Sequence, residues 1–466
     1  MPSSPTTSRR RFIALTGAGL AASTSLARAA TSFRRPPNIV FILADDLGLG
    51  DVGCYGQTRI GTPNIDRLAR EGMRFTQGYA GAPICSPSRC ALMTGLHTGH
   101  TRIRGNFALA GGRLGAKGTS QVRRANLLPG DTTIGDRLQR QGYRTALMGK
   151  WHLDGYDPQA TPLQHGFDEF SGWLIQEDTT QGYFPTQRYR KGKLEPIDQD
   201  RTRGAGNYET DLCTTDACEF IRRNAAEPFF LFVGYSAPHS PYISPALGDY
   251  AAREWSPSQK QYAAMIQLMD QGVGEISRTI REAGLDQNTI VIFASDNGAR
   301  SEATPEQTSV VEFFNSNASD RGYKRDLSEG GLHIPLLARW PGQIAAGSIN
   351  ATPVYFPDIL PTAVSLAGGK VPVKETDGID LTAILSGGEP SVSRFLYWET
   401  FEPEFSQAVR WGRWKAIRST RNRPIALYDL SSDPTESQDV SGAHQDVVAA
   451  ITHYLSTARN SSLEYP

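Results

Sequence analysis

Cys85-Ser86-Pro87-Ser88-Arg89 sets a thiol four residues ahead of a guanidinium, with a proline suited to the first turn of a helix. Ser86 can cap that helix, Pro87 forfeits no hydrogen bond at its first position, and Gly95 can end it. The spacing predicts a short helix starting just past Cys85. Its unpaired N–H groups and positive dipole end would face Cys85 and favour an anion there, with Arg89 one turn further along the same side. A lone cysteine with an arginine nearby is ordinarily a buried structural residue. Here it has company: Asp45-Asp46, Gly149-Lys150-Trp151-His152, Ala237-Pro238-His239 and Ser295-Asp296-Asn297-Gly298 each follow an apolar run. Asp45, Asp46, Asp296 and the amide oxygen of Asn297 are hard oxygen ligands, which suit Ca²⁺ or Mg²⁺ rather than zinc, whose sites favour His and Cys.

The elements that must position these groups are legible as strands. Ile39 to Ala44 is apolar without alternation, as expected of a central parallel strand covered on both faces. Tyr143 to Met148, Phe229 to Val233 and Thr289 to Ala294 repeat the pattern. In open α/β sheets ligands sit beyond the carboxyl ends of the strands. Four strands that each end in polar groups therefore describe one site. Helical stretches at Tyr208 to Arg222 and Tyr262 to Ala283 intervene, giving a layered α/β domain. After a Gly/Pro/Ser shift near Gly387 to Pro390, short strands around Phe395, Ala408, Trp414 and Ala426 and a helix from about His444 to Ala458 predict a small antiparallel sheet with one helix. The expected division is 1–30 targeting segment, 31–388 catalytic α/β domain and 389–466 C-terminal α+β subdomain.

Eight of the eleven positions in C-S-P-S-R-x-x-x-M-T-G, from Cys85 to Gly95, match the signature of the type I sulfatases, which this run resembles. The resemblance extends through Asp45-Asp46, Gly149 to His152, Ala237 to His239, Ser295 to Gly298, Lys324 to Gly331 and Leu427 to Glu436. It implies the alkaline phosphatase-like fold, a large mostly parallel sheet flanked by helices. It implies that Cys85 is oxidised to Cα-formylglycine by a formylglycine-generating enzyme, a transient partner, and that the metal is Ca²⁺ ahead of Mg²⁺, held by Asp45, Asp46, Asp296, Asn297 and residue 85. Hydrated residue 85 would attack sulfur, with Arg89 beside it. Lys150 and Lys324 would hold sulfate oxygens, His239 with Lys324 would assist the leaving alcohol, and His152 would take the proton of the second hydroxyl. Cys90 and Asp154 stand where the family commonly has a smaller residue and Gly, and neither position carries chemistry. A phosphonate monoester or phosphodiester hydrolase of the same superfamily is the alternative, and a non-catalytic binder of sulfated glycans a third reading.

Two long irregular regions, His97 to Asn126 and Phe170 to Arg203, interleave cations with aromatics. Such loops could hold an anionic sugar by ion pairing and ring stacking. His100 and Arg104 are the candidates there for substrate binding, to a sulfated carbohydrate or an aryl sulfate. Lys+Arg and Asp+Glu are both 48, so the formal net charge is zero and the basic excess of a nucleic-acid binder is missing. Five cysteines make a disulfide framework unexpected. Ser8-Arg9-Arg10-Arg11-Phe12-Ile13, the apolar stretch to Leu26 and Ala27-Arg28-Ala29 resemble a bacterial twin-arginine export signal. The expectation is transient engagement of that export machinery, a periplasmic or secreted location, and no membrane span in the mature protein.

Overall fold

The computed structural model describes residues 35–117, 120–174, 183–197, 207–301, 304–388 and 393–466. The export-type segment of residues 1–30 lies outside the described residues, as do parts of the Phe170–Arg203 loop and of the linker near Pro390. The strand Asn38–Ala44 is buried along its whole length. Its alternate side chains feed two cores: Ile39, Phe41 and Leu43 face one, Val40, Ile42 and Ala44 the other. Each of the five larger side chains contributes roughly 1.5–3 kcal/mol when fully buried, which is why the run carries no polar alternation.

This strand pairs in parallel with Thr289–Ser295 on one side and Phe229–Gly234 on the other. Arg144–Lys150 and then Glu169–Trp173 continue the parallel set. These five strands are the heart of a ten-stranded sheet. Leu336–Arg339, Met73–Phe75 and Ser348–Asn350 extend it at one edge, and Gln187–Arg190 with Lys193–Pro196 form an antiparallel pair at the other. Helices Cys85–Thr94, Ile134–Gln139 and Ile359–Leu366 contribute to the core on the Phe41 face, and Pro63–Glu71, Glu209–Arg223 and Pro257–Glu282 to the core on the opposite face. The α/β expectation therefore holds, with four strand ends converging as read from the apolar runs.

Phe395–Thr400, Ser406–Trp411, Trp414–Arg418 and Ala426–Asp429 form the small antiparallel sheet in chain order. Helix Gln445–Leu455 packs Val447, Ile451 and Leu455 into one core with Tyr397, Val409 and Leu427 of the sheet. Residues 35–466 make one compact unit, and buried polar contacts tie the small sheet to segments of the larger part that lie outside its ten-stranded sheet. Trp398 Nε1 donates to the Ala80 carbonyl at 2.8 Å, Arg104 reaches Glu399 at 3.0 Å, and Lys415 Nζ lies 2.7 Å from Glu329. All five cysteines are free. Among the described residues no helix is long and apolar enough to cross a membrane.

Candidate active site

The site forms where the parallel strands run out. Asp45 and Asp46 follow Ala44, and backbone pairing carries on past the strand ends: the Asp45 N–H donates to Ala237 O at 3.1 Å and the Asp296 N–H to Ala44 O at 3.0 Å. Asp46 takes φ +65°, a left-handed conformation rare outside glycine, and its N–H donates to Asp296 Oδ1 at 3.2 Å. The chain thus turns sharply so that both carboxylates face inward. Gly298 explains the pairing of the S-D-N-G and E-G-G segments: a Cβ there would lie 1.8 Å from Gly330 O, so only glycine lets the two backbones meet.

The Cys85 helix begins two residues earlier than a cap at Ser86 and a first position at Pro87 predict. Cys85–Thr94 is helical, Ile84 is its N-cap, and no side chain caps it. Ser86 is not the cap because its hydroxyl is used elsewhere, donating to the His152 carbonyl at 2.8 Å, while its N–H donates to Asn106 Oδ1 at 3.1 Å. Gly95 ends the helix with φ +70°, as expected. Cys85 Sγ lies 3.4 Å from Asp45 Oδ1 and 3.1 Å from Lys324 Nζ. Arg89, one turn on, bridges the strand ends: Nε meets Asp296 Oδ2 at 2.9 Å, Nη2 lies 3.5 Å from Asp45, and Nη1 donates to Lys150 O at 3.1 Å.

Lys150 Nζ is bonded to Asp45 Oδ2, and Lys324 Nζ to Asp46 Oδ1 at 2.6 Å. His239 Nε2 lies 3.5 Å from Asp46 Oδ2, and its Nδ1 lies 2.6 Å from Ser240 O. Three buried carboxylates, Asp45, Asp46 and Asp296, thus meet three buried cations, Arg89, Lys150 and Lys324. An unpaired charge at such depth costs several kcal/mol, so the balance is required. Burial alone would raise Asp45, but Lys150, then His239, Arg89 and Lys324, hold its carboxyl well below the usual range. Burial also opposes Asp46, and Lys324 with His239 still lowers it. Asp296 goes the other way, pushed up to about 6 by burial and by the charge of Asp45. Burial and Asp45 push the Cys85 thiol up, and burial takes His239 down to about 3.

Asp46 Oδ2 and Asn297 Oδ1 are buried and accept no hydrogen bond among the described residues. Asn297 Nδ2 donates to Asp46 Oδ1 and to Gly298 O, each at 2.8 Å. Ligand atoms of Asp45, Asp46, Cys85 and His239 lie within 4.8 Å of one another. Two unmatched hard oxygens among carboxylates are donors that a Ca²⁺ or Mg²⁺ ion would satisfy, so the residues present fit such an ion.

Asp45, Asp46, Cys85, Arg89, Lys150, His239, Asp296, Asn297 and Lys324 are joined by these contacts, and His152 adjoins them through Ser86 and the charges around it. His100 and Arg104 are not brought to them. Arg104 is 2 % exposed and spends its donors on Thr101 O, Glu399 and Asn460 O, each at 3.0 Å. His100 stacks on His97 at 4.2 Å and bonds Asp377 at 2.9 Å. It lines a 640 Å³ cavity at the far end of the Cys85 helix, beside Thr94, Arg137 and Glu375, that no residue of the cluster borders. Sequence reasoning missed Arg124, 2.7 Å from His152 Nε2, and Arg300, 3.3 Å from His239 Nε2. Arg300 stands three places after Asn297 and could have been flagged by that proximity, whereas Arg124 lies in a polar ribbon with no motif.

Comparison with known proteins bears on this site. A family model described as "Sulfatase" matches residues 37–369, and one described as "N-sulphoglucosamine sulphohydrolase, C-terminal" matches residues 321–461. The N-acetylgalactosamine-6-sulfatase of Mus musculus is 33% identical over 423 residues, covering 88% of this chain and 77% of its own. The steryl-sulfatase of Mus musculus is 29% identical over 523 residues, with 90% and 81% covered. The solved structure of Ps i-CgsB in complex with k-i-k-neocarrahexaose superposes with a TM-score of 0.78 at 28% identity, covering 92% of this chain and 95% of that one. The family match takes in every residue of the cluster, and the chain belongs to the sulfatases, enzymes that hydrolyse sulfuric esters.

Proposed function

We propose that this protein hydrolyses the sulfate monoester of a sulfated carbohydrate or an aryl sulfate, with residue 85 as Cα-formylglycine and Ca²⁺ bound beside it. The observation that carries the reading is the buried charge cluster around Cys85, with Lys324 Nζ at 3.1 Å and unmatched oxygens on Asp46 and Asn297. Relatives that are sulfatases of a sugar sulfate and of a steryl sulfate, and the likeness to a structure in complex with neocarrahexaose, support the substrate class and favour the glycan. Ca²⁺, held by Asp45, Asp46, Asp296, Asn297 and residue 85, would supply positive charge where sulfate oxygens gather. Formylglycine at residue 85 would supply, as its hydrate, one hydroxyl to attack sulfur and a second to expel sulfate, which an unmodified thiol lacks.

The chain's own residues do the rest. Arg89 anchors Asp45 and Asp296 so that the carboxylates hold their positions under mutual repulsion. Lys150 and Lys324 are bonded to Asp45 and Asp46 and can turn their ammonium groups to the sulfate oxygens as charge develops. His239 and Lys324 stand together at Asp46, where the leaving alcohol would collect its proton. The phosphonate monoester or phosphodiester alternative is less supported, since the matched family and the relatives above are sulfatases.

The test is the mass of the peptide containing residue 85, from protein coexpressed with a formylglycine-generating enzyme. A peptide lighter by the exchange of thiol for aldehyde, on protein that releases sulfate, is expected. An unmodified thiol on fully active protein would refute the reading.

A further inference from the structure

The start of the Cys85 helix is capped from outside the helix. Ile84, its N-cap, has no side-chain acceptor to give, and Ser86 spends its hydroxyl on His152 O. The Ser86 N–H is taken instead by Asn106 Oδ1 at 3.1 Å. Asn106 lies in an irregular stretch that the C-terminal part of the chain holds at two points. Tyr465 Oη donates to Gly105 O at 2.9 Å. Glu402, two residues past the strand Phe395–Thr400, is 7 % exposed and receives the Asn106 N–H at 2.6 Å and the Phe107 N–H at 3.1 Å on one oxygen, Oε1. Backbone donors on a carboxylate make hydrogen bonds of the stronger, charge-assisted kind.

The other oxygen of Glu402, Oε2, lies 3.6 Å from Arg325 Nη2. Arg325 takes φ +82°, and its N–H donates at 2.7 Å to the carbonyl of Pro83, two residues ahead of Cys85. Its neighbour Lys324 is tied by its own N–H to Ala299 O at 2.9 Å, and its Nζ lies 3.1 Å from Cys85 Sγ and 2.6 Å from Asp46 Oδ1. One carboxylate thus reaches the chain on both sides of residue 85. Asn106 carries it to the residue just after, Arg325 to the segment just before, and the second path runs beside the lysine that meets the thiol.

We infer that Glu402 is a positioning residue of the sulfatase reaction: from the small sheet it holds Asn106 and Arg325, so that residue 85 and Lys324 keep their approach. It acts through those two residues and is not a catalytic group itself. The C-terminal sheet is then part of what aligns the reacting groups. The catalytic half of this inference rests on the sulfatase reading, whereas the tether to residue 85 stands without it.

The test joins steady-state kinetics to amide hydrogen exchange on the matured, calcium-loaded full chain. Glu402→Met removes both arms, Glu402→Gln keeps an acceptor for the Asn106 and Phe107 N–H groups, and Asn106→Ala cuts only the arm to Ser86. Glu402→Met should lower kcat about 10- to 100-fold, the range that a misplacement of about 1 Å produces, with KM within about twofold. Glu402→Gln should recover most of that loss. Asn106→Ala should also lower kcat, and the double variant Glu402→Met/Asn106→Ala should fall by less than the product of the two single effects. Exchange in the peptide from Ile84 to Arg89 should be slow in wild type and Glu402→Gln, and about tenfold faster or more in Glu402→Met and Asn106→Ala. Wild-type kcat in Glu402→Met would overturn the inference. So would a Glu402→Gln protein as slow as Glu402→Met, or a double variant whose effects multiply in full, because the glutamate would then not act through Asn106. Unchanged kcat and exchange in Asn106→Ala would overturn it even where Glu402→Met fails to fold. Absence of turnover on every sulfate ester, with exchange as described, would instead count against the sulfatase reading alone.

Discussion

Replacing Lys415 by methionine removes the cation that stands between two buried glutamates. Lys415 is fully buried, with Nζ 2.7 Å from Glu329 Oε1 and 3.6 Å from Glu436 Oε1, and it reaches them from the small sheet. Burial would raise Glu329, yet Lys415, followed by Arg410 and His333, brings it from an ordinary 4.5 to about 2. At about 1.4 kcal/mol per pH unit that depression is worth roughly 3 kcal/mol, at the low end of the ~3–5 kcal/mol typical of breaking a buried pair. Arg410 stays behind and the burial cost of the ammonium is relieved, so about 3 kcal/mol is the expected loss at pH 7. With ~2.1 cal/mol/K per residue, a chain this long gives about 1 kcal/mol per degree, and Tm should fall by about 3 °C. The pH dependence is the sharper check. A carboxyl depressed on folding stabilises above its unfolded value, near 4.5, and that contribution is lost as pH falls toward 2. The gap between wild type and Lys415→Met, measured by thermal unfolding, should be full at pH 7 and less than half as large at pH 3. An undiminished gap at pH 3, or none at pH 7, would refute the reasoning.

Cys85→Ala should leave Tm within a few degrees of wild type and abolish turnover, and activity near wild type would end the assignment of residue 85. Asn297→Ala removes one of the two unmatched buried oxygens, so calcium copurifying with the protein should drop well below one per chain. Full calcium stoichiometry in that variant would put the ion elsewhere. Arg104→Met should cost about 3 kcal/mol of stability by removing one of the two arginines that pair with buried Glu399, while KM for a sulfate ester stays within about twofold. A large rise in KM with unchanged stability would restore Arg104 to the substrate site.

How much of this was legible in the sequence follows from the range of the forces involved. Apolar runs without alternation announced central strands, and the groups at their ends met in one place because parallel strands all end on one side. The Cys85 helix starts two residues ahead of the expected Pro87 because Ser86, a good cap by type, is recruited by the His152 carbonyl 66 positions away. Arg104 was assigned to substrate because nothing local shows that Glu399, 295 positions on, would claim it. Arg124 was passed over for the converse reason. Its strand is mostly exposed and reads as a polar ribbon, and only the fold brings its last residue against His152.

The most direct test of the central claim compares sulfate release from a sulfated oligosaccharide and from an aryl sulfate with cleavage of a phosphonate monoester, all by one matured, calcium-loaded preparation. The account predicts that a sulfate ester is turned over with the higher kcat/KM and that the activity disappears in Cys85→Ala. Preferential cleavage of the phosphonate, or sulfate release that survives Cys85→Ala, would contradict it.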